Sequence, residues 1–141
     1  MRRSKLFSRT TRETPSDAEI LSHKLMLKSG MIHQVASGVY TYMPLAWKSI
    51  KKIESIIREE MDRVNGQEIR MPVLQPLDIW DISGRADAYG SDLFRVQDRR
   101  DRDLVLAPTH EELLTNIIKT NVLSYKDLPI LVYQIQTKFR D

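Results

Sequence analysis

The sequence predicts an α+β fold, and three observations carry that expectation. An apolar stripe at helical spacing runs from about Leu45 to Val64. Several short β-prone runs, among them Val39-Tyr40-Thr41-Tyr42, Leu93-Phe94-Arg95-Val96 and Leu104-Val105-Leu106, are bounded by turn residues. The helical patterns are segregated from these runs, which favours mostly antiparallel strands with helices to the side.

The bounds are those of one ordinary domain. The chain has 141 residues, 41% of them hydrophobic and 29% charged, enough to bury a core. A net charge of +3 permits a polyanionic partner without requiring one. With no cysteine, disulfides, thiolate metal sites and cysteine nucleophiles are excluded. No apolar run approaches membrane-spanning length, so no membrane is expected. The start, Met1-Arg2-Arg3-Ser4-Lys5-Leu6-Phe7-Ser8-Arg9, is Arg- and Ser-rich like a mitochondrial presequence and lacks the apolar core of a secretory signal. It reads as a basic, mobile arm on a cytoplasmic protein.

Taken in order, Pro15-Ser16-Asp17-Ala18-Glu19 opens a first helix, with Ser16 as N-cap and Ala18, Leu21 and Leu25 on its inner face. Gly30 stops it. Met31 to Ala36 reads as a further helical turn broken by Ser37-Gly38, and Val39 to Tyr42 as a strand ended by Pro44. In the long helix, Trp47, Ile50, Ile53, Ile57, Met61 and Val64 are spaced 3, 3, 4, 4 and 3 apart. Its lysines come early and its acids late, against the helix dipole, so the stripe must be packed on the same chain or on a second copy. Asn65-Gly66 closes it.

Glu68 to Leu74 alternates like a strand, and Pro72 inside it points to an edge or an interface. Leu77 to Ile82 suits a short helix, Arg85 to Asp92 a loop. The charged run Gln97 to Asp103 suits a solvated hairpin tip, with an RNA-touching loop as the minority reading. Ser124 to Pro129 is a connector. Ile130 to Phe139 is β-prone throughout, and one face, Ile130, Val132, Gln134, Gln136 and Lys138, turns polar along its length as though lining a wet site.

Between the run Leu104-Val105-Leu106 and a helix marked by Leu113, Leu114, Ile117 and Ile118 lies Ala107-Pro108-Thr109-His110-Glu111-Glu112. Structurally, Thr109 and Glu112 have the spacing of a capping box. Glu111 is left over by that cap and is the candidate for chemistry. Other constellations fail. His110-Glu111 starts a zinc-protease pattern, but Leu114 stands where the second histidine belongs. Gly84 and Gly90 lack phosphate-loop spacing, and the three histidines are too scattered to be metal ligands, suiting surface or hydrogen-bonded positions instead. Trp47 and Trp80 sit in helical stripes and read as core.

Several stretches in order resemble the N-terminal part of the catalytic domain of bacterial-type prolyl-tRNA synthetases, which are class II aminoacyl-tRNA synthetases. They are Asp17-Ala18-Glu19, Ser22-His23-Lys24-Leu25-Met26, Ala36 to Leu45, Pro108-Thr109-His110-Glu111-Glu112 and Tyr133 to Asp141. Leu45-Ala46 departs from the family's usual Leu-Gly.

The resemblance implies an antiparallel sheet flanked by helices, and ATP-driven, Mg²⁺-dependent activation of proline followed by its transfer to tRNA. It places motif 1, the dimerisation element, at about residues 45–76, with Pro72 at a homodimer interface. Residues 107–112 match the T-x-E loop, whose Thr109 and Glu111 bind the amino group of proline. Residues 130–141 match the start of motif 2, whose Arg140 contacts the ATP α-phosphate and lies beside the amino acid carboxylate. The rest of motif 2, motif 3, the editing domain and the anticodon-binding domain are expected to be missing, leaving a fragment inactive alone. The alternatives are a non-catalytic module that dimerises or binds tRNA, and an incomplete gene product prone to aggregate at its bare terminal strand.

Overall fold

Residues 2–13 and 18–140 are described by a computed structural model, and they form two units, Met1–Glu59 and Glu60–Asp141. The predicted helix start at Ser16 and Asp17 lies outside the described residues.

In the first unit, helix α1 spans Leu21–Lys28. Ala18 and Glu19 precede it rather than forming its first turn, and Ile20 stands at its N-cap without a side-chain bond. Its expected inner face is not inward: Leu21 and Leu25 are exposed, while Ala18, outside the helix, is buried. Its end follows the expectation. Gly30 adopts φ +66, its amide donates to the Leu27 carbonyl and that of Met31 to Met26, which satisfies the last carbonyls. The basic start is not a free arm. Arg3–Lys5 makes a 3₁₀ turn, Ser8 Oγ donates to the Gly30 carbonyl at 2.6 Å, and the Thr11 amide donates to Lys28. The predicted helical turn after Gly30 is instead strand β1, Ile32–Ala36, paired antiparallel with β2, Val39–Tyr42. Ser37-Gly38 with φ +72 at Gly38 supplies a hairpin turn, and pairing with the β-prone partner overrides the local helical signal.

Helix α2 spans Pro44–Arg63, as the stripe predicts. Its apolar face is largely uncovered in this chain: Trp47 is 46% exposed, Ile53 57% and Ile57 43%. Trp47 is thus not core, and Lys51 lies over its ring. Asn65, at φ 59, closes the helix.

The second unit holds the antiparallel sheet β4–β6–β5, with β4 Leu74–Pro76, β5 Arg95–Gln97 and β6 Asp103–Leu106. The predicted hairpin β5–β6 is present. Asp98 organises its tip by accepting from the amides of Arg100 and Arg102 and from the Arg102 guanidinium, bonds that hold its carboxyl below the usual carboxylate range. Helix α3, Asp78–Ile82, is as expected. Residues expected as loop form helix α4, Arg85–Tyr89, and a 3₁₀ turn at Gly90–Asp92. The core is Trp80, Ala86, Leu93, Val105 and Ala107, and the Trp80 indole donates to the buried Gln75 amide oxygen at 3.1 Å.

Two predicted strands are shorter than their β-prone runs. Of residues 68–74 only β3, Gln67–Glu68, is a strand before β4, although Met71 is buried and Pro72 exposed as the alternation requires. Of residues 130–139 only β7, Val132–Tyr133, is a strand, and it pairs parallel with β3. Beyond that pair a side chain replaces the ladder. The Gln136 amide accepts from the Met71 amide at 3.0 Å and donates to the Met71 carbonyl at 3.1 Å.

Candidate active site

Strand β6 delivers residues 107–110 into the start of helix α5, Glu111–Asn121. The backbone of Ala107 is gripped on both sides. Its amide donates to the Val73 carbonyl, and its carbonyl accepts from the Phe139 amide. Ala107, Pro108, Thr109 and His110 are all buried as a result.

The expected capping box does not form. His110 occupies the N-cap of α5 and makes no side-chain cap bond. The two carboxylates that follow separate instead. Glu111 stays exposed at the first helical position, where the positive end of the helix dipole favours its charge. Glu112, with a side chain only 5% exposed, accepts from Arg85 Nε of α4 at 3.0 Å. Both line a cleft of about 390 Å³, together with Ile79, Arg85, Thr115 and Lys119.

Residues 136–140 converge on this loop through alternate side chains, continuing the polar face read from the sequence. Gln136 abuts His110 Nε2. Lys138 Nζ lies 2.7 Å from His110 Nδ1. Arg140 Nε donates to the Pro108 carbonyl at 3.3 Å. His110 Nε2 is also 3.2 Å from the Pro72 carbonyl, which can only accept. A neutral imidazole protonated on Nε2 suits the Pro72 and Lys138 contacts, since Nδ1 is then free to accept from the Lys138 ammonium, and it leaves the Gln136 amide nitrogen packed on Nε2 without a hydrogen bond to it. Burial lowers the His110 pKa below its usual value, the Lys138 charge lowers it further, and the Pro72 bond and the Glu111 charge oppose them. Burial likewise lowers Lys138, with Glu111 opposing and Arg140 reinforcing the shift.

Of the residues singled out from the sequence, Thr109, Glu111 and Arg140 are thus brought to one loop. Pro72 touches that loop from below through its carbonyl, while its exposed ring faces away from the core. His110, expected among surface or hydrogen-bonded histidines, is fully buried and is the hub of the loop. Lys138 and Arg85 were missed. The alternating polar positions 134, 136 and 138 signalled the first, whereas nothing local signalled the second. Among the described residues there is no group of three or more His, Asp or Glu side chains that could hold a metal ion.

Comparison with known proteins bears on this geometry. A family model described as tRNA synthetase class II core domain (G, H, P, S and T) matches residues 94–141. Over all 141 residues the chain is 59% identical to a proline–tRNA ligase of Pelotomaculum thermopropionicum, covering 25% of that protein. It is 56% identical over the same span to that of Fusobacterium nucleatum, again covering 25%. The fold matches the prolyl-tRNA synthetase of Giardia lamblia in complex with prolyl-adenylate, with TM-score 0.70 at 24% identity over 78% of this chain and 24% of that one. It also matches the Cryptosporidium parvum enzyme complexed with L-proline and AMP, with TM-score 0.71 at 18% identity over 86% of this chain and 25% of that one. The chain spans about a quarter of the length of the curated relatives it matches. Along its whole length the chain is thus similar in sequence to about a quarter of the length of proline–tRNA ligases, residues 94–141 are similar to the class II tRNA synthetase core, and the fold matches that of prolyl-tRNA synthetases.

Proposed function

We propose that these residues form one wall of the proline-activating site of a cytoplasmic proline–tRNA ligase. In that reaction a proline carboxylate oxygen attacks the ATP α-phosphate, pyrophosphate leaves, and the prolyl group of the adenylate then passes to tRNA. The observation that carries the reading is the bond from Arg140 to the Pro108 carbonyl, which brings the segment after β7 to the buried loop that leads into Glu111.

Proline's secondary ammonium has two N–H donors and a positive charge. Glu111 offers the anionic acceptor, and Thr109, two residues earlier in the same loop, offers a hydroxyl. Attack builds negative charge on the α-phosphate, and the Arg140 guanidinium stabilises that charge and lies beside the substrate carboxylate. No side chain needs to act as nucleophile, and the rate gain comes from orienting two bound reactants. The wider reading makes residues 45–76 motif 1, 107–112 the T-x-E loop and 130–141 the start of motif 2. The uncovered stripe on α2 supports a homodimer, with Pro72 at its interface.

Proline-dependent ATP–pyrophosphate exchange by the protein carrying these residues tests this. Glu111→Gln should raise the KM for proline about 10- to 100-fold, the worth of one charged hydrogen bond, and leave that for ATP nearly unchanged. Glu112→Gln should leave both nearly unchanged. Equal effects from the two changes, or no exchange by the unsubstituted protein, would overturn the reading and favour a non-catalytic tRNA-binding module.

A further inference from the structure

We propose that Lys138 and His110 are a positioning pair that sets the spacing between Glu111 and Arg140. This rests on the reading of those two residues as the proline and α-phosphate contacts. Glu111 follows His110 directly, and Arg140 lies two residues beyond Lys138. The contact between Lys138 Nζ and His110 Nδ1, at 2.7 Å, therefore ties together the two segments that carry the reacting groups.

The chemistry of the tie is particular. A lysine ammonium donates to an imidazole nitrogen rather than to a carboxylate, and only a neutral imidazole has the lone pair to accept. The opposite ring nitrogen is already committed to the Pro72 carbonyl, and the Gln136 amide that abuts it is pinned to the Met71 backbone at both ends. The ring is thus clamped between the segment that follows β3 and the one that follows β7. Protonating His110 would set two cations against each other and break the tie. The charged groups acting on the ring are Lys138, which opposes protonation, and Glu111 at the head of α5, which favours it. Arg140 acts in turn on Lys138.

The pair makes the site sensitive to pH in a defined direction. In the unsubstituted protein burial and the Lys138 charge both favour the neutral imidazole, and with it the tie. Without Lys138, burial alone opposes the pull of the Pro72 bond and the Glu111 charge, and protonation begins at higher pH.

The test uses Lys138→Met and Lys138→Arg in the protein carrying these residues. Proline-dependent exchange and the ring resonances of His110 are each followed against pH, with His110→Asn assigning the resonance. For Lys138→Met, kcat/KM for proline should fall about tenfold with the KM for ATP nearly unchanged, as expected of a small misplacement. The acid limb of the profile and the His110 titration should both move to higher pH together, the effect of losing a close like charge. Lys138→Arg should restore most of the activity and the original limb. An unmoved titration and limb, or activity lost only in step with thermal stability, would overturn the pair. The resonance titration needs no turnover, so it judges the pair even if absence of exchange in the unsubstituted protein overturns the proline reading.

Discussion

Glu111 and Glu112 are adjacent, alike in chemistry and opposite in surroundings. Glu111 is exposed at the helix mouth, and Glu112 is turned down against Arg85 with its Oε2 buried and without a hydrogen-bond partner. The geometry therefore assigns Glu112 a structural task, though not the capping task its spacing suggests. Removing either end of the pair leaves the other without its charge partner, and the loss is larger for the buried carboxylate. A double-mutant cycle with Glu112→Gln and Arg85→Met should give a coupling of about 0.5–1 kcal/mol in urea unfolding, since Arg85 is half exposed. A coupling near zero would show the contact to be without energetic weight.

At the scale of elements, the α1 stop and the α2 stripe behave differently. The stop is local and tightly built. A Cβ on Gly30 would meet the Ser8 hydroxyl and the Arg9 carbonyl oxygen far inside contact distance, at a φ of +66 that side chains disfavour. Gly30→Ala should therefore cost more than about 2 kcal/mol, strain and steric clash together, measured by chemical unfolding. The α2 stripe has perfect periodicity and little cover in this chain. An exposed apolar face of this kind marks an interaction surface, and in the proposed homodimer the second copy covers it. Ile53→Glu should leave the helix formed and shift sedimentation toward monomer, and an unchanged sedimentation coefficient would exclude Ile53 from any such interface.

At the scale of the whole molecule, each unit is legible to a different degree. The long helix, the β5–β6 hairpin and the glycine stop follow from patterns a few residues wide, where periodicity and turn chemistry decide the outcome. The same local rules misplace residues 31–36, which become a strand because β2 offers them a partner. They also overextend the strand at 130–139, because only two of its residues find a backbone ladder and the Gln136 side chain bonds the Met71 backbone beyond it. The resemblance named Thr109 and Glu111 on one loop and Arg140 apart from it; that Arg140 reaches that loop lies in the tertiary structure.

What the sequence determined by itself is the α+β class, the long amphipathic helix, the hairpin and the loop on which the polar residues stand. These rest on short-range periodicity, capping glycines and turn residues, which act before any distant part of the chain is in place. What only the tertiary structure decided is the surroundings of His110. Its partners Pro72, Gln136 and Lys138 lie 38, 26 and 28 residues away in the chain. Burial and a neighbouring ammonium make it a neutral ring, and no spacing in the sequence encodes either, because both exist only once the three segments have packed.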